Sequence, residues 1–325
     1  MRILSIGEII WDIFPAGHDS RQSDVSEQGT LAFQGPSLEH LGGAPLNFAA
    51  HARKLGHEAY ILSAVGDDER GPKAIQQIAE LRVAVDFVHR VRGVLTGFAA
   101  VELDAEGHSH FAVARPVAYD RITMPDETLT RIADLQPDWI YFGTLFHTTP
   151  SNLSITRRIV DACPTAYRVY DMNLRGDQWT PELVQELSSM ASVIKASDED
   201  MRMYRPALTM SREELETSMA NADSQKMWGV PEARAVVITR GAKGCFVYSR
   251  GDLVSVRGFP VGVADTVGAG DAFTAAFIHA LSEQRPMAEA ARFANAVGAL
   301  VASRPGAIPD WNLTEVEALL RQENA

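Results

Sequence analysis

The stretch DTVGAGDAF, Asp265 to Phe273, sets three small residues between two aspartates and runs directly into an apolar segment. Beyond Asp271, the apolar residues Ala272, Phe273, Ala276, Phe277, Ala280 and Leu281 recur at helical spacing, so a buried helix begins at or just after the glycine turn. Gly268, Ala269 and Gly270 therefore fall at a helix N-terminus. There, free N–H groups and the positive end of the helix dipole make an anion site, and glycine lets a phosphate approach the backbone closely. An aspartate at such a point is a cap or a base, and for the turn in isolation an ordinary N-cap accounts for it with no ligand.

The rest of the chain narrows what the turn could serve. With 325 residues, 46% of them hydrophobic, the chain can bury a large core as one α/β domain or two smaller ones. A formal charge of −12 opposes a nucleic acid or an anionic membrane as the main partner, because both need clustered Lys and Arg. A small-molecule ligand remains. No run approaches the roughly 20 apolar residues of a membrane span, and MRILSIGEIIWDIF lacks a cleavage region, so the expected location is cytoplasmic. Cys163 and Cys245 form neither a disulfide framework nor a metal cluster and read as small core residues. A single glycine follows the first apolar run, and G-x-x-x-x-G-K-[ST] and G-x-S-x-G are both absent. Dinucleotide, P-loop and serine-hydrolase readings fall with them.

Short β-branched or aromatic runs, RILSIGEII, AYILSAV, DWIYFGTL, YRVYDM, SVIKA and AVVITRG, alternate with helical patterns such as PLNFAAHARKLG and TPSNLSITRRIVDA. This alternation predicts a mostly parallel sheet with helices on both faces. Residues 96–113 break the rhythm as two strands around DAEG, and residues 16–36 are polar and glycine-punctuated, which suggests a small β-flap beside the main sheet. No linker or internal repeat is visible, so one domain with an appended flap is the economical description. RPALTMSREELETSMANADSQKMWGV reads as a loop and surface helix without chemistry.

Four separated motifs carry a resemblance. DTVGAGDAF, LGGAPLNFAAHARKLG followed by VGDDERG, ITRGAKG, and FANAVGALVASRPGAIP stand in the order found in the ribokinase-like, or PfkB-type, family of sugar kinases. GGAPLN at Gly42 to Asn47, with YDMNLR at Tyr170 to Arg175, most resembles its fructokinase branch. The resemblance implies a three-layer α/β/α sandwich over residues 1–325 with a β lid from about 13–36 and 93–118. It implies an ATP- and Mg2+-dependent kinase for a small sugar, fructose first, with ribose, 2-keto-3-deoxygluconate or a nucleoside as alternatives. A sugar- or nucleotide-sensing pseudokinase is the non-enzyme alternative, and the intact Asp271 turn argues against it.

Carried onto this sequence, the resemblance makes Asp271 the general base, with the N–H groups of Gly268, Ala269 and Gly270 holding the transferring phosphoryl oxygens. Asp12, Gly42, Gly43 and Asn47 would bind the sugar; without the resemblance, Asp12 could cap a turn before Pro15 and Asn47 could cap its helix. Asp171, Asn173 and Arg175 would share one face if their strand continued, with Arg175 on the phosphate and Asp171 holding it or touching sugar, or the two forming a surface salt bridge. Thr239, Gly241, Gly244 and Asn295 match nucleotide-side positions. Asp265, Val267, Val301 and Gly306 match a site for a potassium-like cation built largely from carbonyls. The family's Asn and Glu for magnesium are here Ser197 and Asp200, which leaves Asp200 as a residue reaching the metal through water. Lys243 reads as solvent exposed, His147 as a loop histidine or substrate contact, and the pair His108 and His110 as surface residues rather than a metal site. The flap serves as a lid, as the interface of a homodimer, or as both.

Overall fold

A computed structural model describes residues 1–15, 37–103, 109–206, 235–249 and 251–322. In chain order the strands are β1 (Arg2–Ile6), β2 (Ile10–Pro15), β3 (Ser37–Gly42), β4 (Glu58–Gly66), β5 (Ala84–Val91), β6 (Phe98–Leu103), β7 (Ser109–Val113), β8 (Trp139–Gly143), β9 (Tyr167–Asp171), β10 (Val193–Ser197), β11 (Ala235–Thr239), β12 (Cys245–Ser249) and β13 (Asp252–Val256). The helices are α1 (Ala44–Lys54), α2 (Arg70–Glu80), α3 (Asp126–Leu135), α4 (Pro150–Ala162), α5 (Pro181–Ser189), α6 (Asp198–Tyr204), α7 (Ala269–Ser282), α8 (Met287–Ala302) and α9 (Leu313–Gln322).

Nine strands form one sheet in the order β13-β12-β11-β10-β9-β8-β1-β4-β5. It is parallel from β5 to β11 and ends in an antiparallel hairpin, β12 and β13. Successive side chains along a strand point to opposite faces, and the two cores sort accordingly. Ile3, Trp139, Tyr141, Val169, Val193 and Val237 join one core, which contains the buried residues of α1, α2, α7, α8 and α9. Leu4, Ile140, Phe142, Tyr170, Ile194 and Ile238 join the other, with residues of α3, α4, α5 and α6. The expected three-layer sandwich is therefore present. Helix α7 is buried from Asp271 to Ala280 on every side, as its unbroken apolar run requires.

A second sheet, β3-β2-β6-β7, stands apart from the first. RILSIGEII, expected as one strand, divides between the two sheets: β1 ends at Ile6, and Ile10 opens β2, paired with β3 and β6. The strand pair expected over 96–113 is present as β6 and β7. Its DAEG turn, residues 16–36 of the expected lid, and the helix expected beyond residue 206 lie outside the described residues. Strand β3 and the β12–β13 hairpin were not foreseen. Both cysteines are free and buried, as expected of core residues.

Candidate functional site

The carboxyl ends of parallel strands are where open α/β sheets hold ligands, and there the register aligns Gly143 with Asp171, Asp171 with Lys195, and Ser197 with Thr239. Helix α7 starts against this edge. Its cap, Gly268, has φ of 77°, and a Cβ there would lie 2.2 Å from the Ala307 carbonyl oxygen. Both facts demand glycine. The Ala269 N–H reaches the Thr266 carbonyl at 3.3 Å, whereas the N–H groups of Gly268, Gly270 and Asp271 have no partner among the described residues. The anion turn thus presents the amides of 268 and 270 expected from the sequence, plus that of Asp271 itself, while the amide of Ala269 is partly engaged within the turn.

Asp271 is only 9% exposed. Its Oδ2 accepts a 2.8 Å hydrogen bond from Asn47 Nδ2, joining residues 224 apart in sequence. Burial, and next the charge of Asp171, push its pKa up to about 7, against the opposing pull of Asn47, Lys195 and Arg175. Asn47 does not cap α1: the helix begins at Ala44, and the cap position is Gly43 with φ of 107°. A Cβ on Gly43 would lie 2.6 Å from the Glu8 carbonyl oxygen, so only glycine lets α1 start this close to the loop after β1. Asp12 lies inside β2 rather than in a turn. Beside Gly42, the space a Cβ would occupy is 3.3 Å from Asp12 Oδ2 and 3.8 Å from Asn47 Oδ1. Asp12, Gly42, Gly43 and Asn47 therefore converge next to Asp271. Burial raises Asp12 to about 6 while Arg175 pulls it down.

The YDMNLR segment differs from the expectation. Strand β9 stops at Asp171, and Asn173 takes φ of 39°, so Asp171, Asn173 and Arg175 do not share a strand face. Asp171 is fully buried, and its partner is Lys195, at 3.0 Å, rather than Arg175. Thr274 Oγ donates to Asp171 Oδ2 at 3.3 Å and to the Gly270 carbonyl at 2.9 Å. Burial alone would lower Lys195, but the charges of Asp171, Asp200 and Asp271 outweigh it and hold the ammonium charged. A Cβ on Gly270 would sit 3.1 Å from Lys195 Nζ, so this cation lies against the anion turn. Arg175 is exposed, and its charge reaches Glu8, Asp12 and Asp271.

Lys195 and Glu8 are the residues that motif reading passed over. Each is a charged side chain set in or directly after an apolar strand, VIKAS and RILSI, and that is the signal that could have found them, since such groups are seldom buried without a partner.

Of the residues expected at the nucleotide, Thr239 closes β11, and its hydroxyl donates to the Ala196 carbonyl at 3.3 Å. Gly241 and Gly244 take φ of 53° and 88° in the turn before β12. Asn295 donates to the Arg257 carbonyl at 3.0 Å, fixing the segment after β13. Lys243 is exposed. Asp265 gathers two of its expected companions: its Oδ1 accepts from the Val267 N–H and its Oδ2 from the Gly306 N–H, each at 3.0 Å. The Val301 carbonyl accepts from the Arg304 N–H. Asp200 closes a capping box with Ser197, and its Oδ1 takes the Leu174 N–H at 2.7 Å, so its carboxylate ties α6 to the loop after β9. His147 is buried between the Gly143 carbonyl and the Thr156 hydroxyl, the satisfied loop histidine of the two expectations. His108 lies outside the described residues, as does the side chain of His110.

The buried aspartate that follows the glycine turn of this α/β/α sandwich thus meets a second glycine motif across 224 residues. The pfkB family carbohydrate kinase model matches residues 2–314, and the chain belongs to that family. It is 30% identical to the fructokinase of Solanum tuberosum, with 98% of this chain and 94% of the relative covered. A fructokinase with bound ATP from Xylella fastidiosa has the same fold, at a TM-score of 0.79 and 23% identity, covering 100% of this chain and 99% of that one. The 2-dehydro-3-deoxygluconokinase of Thermotoga maritima also superposes at a TM-score of 0.79, with 21% identity over 99% of this chain and 98% of its own. The protein is a sugar kinase.

Proposed function

We propose that the enzyme transfers the γ-phosphoryl group of ATP to a primary hydroxyl of fructose. The observation that carries this reading is Asp271, buried at the head of α7 beside unpartnered amides and hydrogen-bonded to Asn47 of the sugar-side helix. Asp271 takes the hydroxyl proton as the sugar oxygen bonds to the γ-phosphorus, and the bond to the bridging oxygen breaks to release ADP. The amides of Gly268 and Gly270, with Lys195 beside them, stabilise the charge on the phosphoryl oxygens. Ala269 adds its amide only as far as the turn releases it. Arg175 supplies a second cation from the rim. Asp12, Gly42, Gly43 and Asn47 bind sugar hydroxyls, and Asp171 acts through Lys195 rather than on the sugar.

Thr239, Gly241 and Gly244 border the nucleotide, with Asn295 bracing that side. Magnesium bound with the ATP phosphates would supply charge neutralisation, and Asp200, whose oxygens already accept from Leu174 and Ser197, would meet it only through water. Backbone carbonyls near Asp265, Val267, Val301 and Gly306 suit a potassium-like cation, a hard ion that prefers oxygen. The β2-β3-β6-β7 sheet serves as the lid and as the face of a homodimer, which light scattering tests. The kinase reading is tested by ADP release against fructose, ribose, 2-keto-3-deoxygluconate and nucleosides, with and without potassium. Fructose is expected to give the highest kcat/KM. A higher value on another acceptor overturns the fructose assignment, and binding without turnover on every acceptor restores the pseudokinase reading.

A further inference from the structure

Buried polar atoms in folded proteins are nearly always hydrogen-bonded, so an orphan among them marks a place made for something else. Glu8 is 4% exposed, and its Oε2 has no hydrogen-bond partner among the described residues. Isolated buried carboxylates are costly, and this one is placed in the wall of the sugar site. Its stem packs on Gly43, where a Cβ would meet Glu8 Cγ at 3.6 Å. Asp271, Arg175 and Arg115 are the charged groups that act on it, and its own charge is felt at the buried hydroxyl of Tyr119, which also lacks a partner. Asn47 Oδ1, 3.8 Å from where Gly42 would carry a Cβ, is a third buried oxygen without a partner among the described residues. When Glu8 is ionised, its Oε2 and Asn47 Oδ1 can only accept, whereas the Tyr119 hydroxyl both donates and accepts, and Glu8 becomes a donor as well when it is protonated. Burial, ahead of the charge of Asp271, raises Glu8 to about 7, so both forms are accessible near neutrality. A polyol, whose hydroxyls both donate and accept, satisfies such a set.

We propose that Glu8 is a further sugar-binding residue, its Oε2 hydrogen-bonding one substrate hydroxyl other than the one phosphorylated. The proposal rests on the sugar-kinase reading of the site and adds to it a determinant of which sugar fits.

The test uses the full-length chain with Glu8→Ala and Glu8→Gln, both checked for folding by circular dichroism. Sugar affinity is read twice: as KM at saturating ATP, and by calorimetry with a non-hydrolysable ATP analogue. The probes are fructose and the monodeoxy-fructoses that keep the accepting hydroxyl. Glu8→Ala is expected to weaken fructose by about tenfold or more, leave the KM for ATP unchanged, and lose almost nothing further on the one analogue that lacks the bonded hydroxyl. Glu8→Gln, which keeps the shape, is expected to lose less on fructose and to show the same selective insensitivity, so it carries the test if the alanine variant fails to fold. An equal loss on every sugar overturns the proposal, because a water filling the niche gives that pattern. An unchanged fructose affinity overturns it too. Calorimetry separates this from the kinase reading: sugar binding that depends on Glu8, in a wild-type protein that phosphorylates none of the sugars, sinks the reaction and leaves the contact standing.

Discussion

Replacing Asp271 by Asn should disable the enzyme and stabilise it at the same time. The carboxyl sits in a site that raises its pKa from 3.8 to about 7, with burial as the leading cause. Each unit is worth about 1.4 kcal/mol, so at about pH 8.5, where the group is ionised in both folded and unfolded chains, holding the charge in the fold costs about 4 kcal/mol. Because the folded pKa is the higher one, the folded chain binds the extra proton, and the cost accumulates as pH rises from 3.8 through about 7 and is constant above. At about pH 5.5 only the unfolded carboxyl is ionised, and the cost is about 2 kcal/mol. Asn is neutral at every pH and can still accept from Asn47. The variant should therefore exceed wild type by about 4 kcal/mol at the higher pH and by about half of that at the lower. Equilibrium urea unfolding at both pH values measures the difference, and the buried histidines, which titrate in both proteins alike, cancel from it. Turnover should fall by at least about 10²–10⁴-fold with ATP binding retained. A gain that is absent, or equal at the two pH values, refutes the buried-charge argument; retained turnover refutes the base.

The remaining expectations concern the same few residues. The pH profile of wild-type kcat/KM, which reports the free enzyme, should fall about tenfold per unit below about pH 7, because the protonated Asp271 cannot take the hydroxyl proton; a profile flat to pH 5 contradicts it. Gly268→Ala should cost about 1–3 kcal/mol in thermal unfolding and about 10²–10³ in kcat, from backbone strain at positive φ and the clash with Ala307. Gly270→Ala, meeting only the flexible end of Lys195 at 3.1 Å, should leave stability much closer to wild type. Lys195→Met should cost about 3–5 kcal/mol by stranding the buried Asp171. Adding Asp171→Leu should restore most of that stability and none of the turnover.

What could be read in the chain was local. The glycine turn and the helical spacing after Asp271 lie within one segment, so the helix start at Ala269 follows from neighbouring residues alone. Gly42, Gly43 and Asn47 are also contiguous with the helix they open, and the alternation of strand and helix is enough to build the sandwich. What escaped depends on partners far away in sequence. Lys195 becomes legible only once β10 lies beside β9 and its ammonium meets Asp171. The turn at Asn173 is not signalled by a glycine or proline, so continuing the strand through Arg175 looked natural. The division of RILSIGEII escapes because both halves are apolar and Ile6 and Ile10 share one core: Ile6 ends a strand of the nine-stranded sheet, while Ile10 opens a strand of the other, and periodicity alone does not say where one strand hands over to the next.

One helix connects these pieces. Asn47 and His51 are four residues apart and so lie on one face of α1. Asn47 holds Asp271, while His51 holds the strand of chain that closes over Gly268. The Trp311 indole donates to His51 Nδ1 at 3.1 Å, which leaves the proton on Nε2 to donate to the Ala307 carbonyl at 3.0 Å. Burial pushes His51 down to about 4, so the ring stays neutral and this arrangement persists across the working range. That same carbonyl oxygen is the atom lying 2.2 Å from where Gly268 would carry a Cβ. Helix α1, opened by Gly42 and Gly43, therefore grips the turn before α7 at two points, the Asp271 carboxylate and the Ala307 backbone packed on Gly268. A displacement of α1 would carry Asp271 and Gly268 together and keep the two in register, where a misplacement of about 1 Å at a reacting group is enough to cost about a hundredfold in rate.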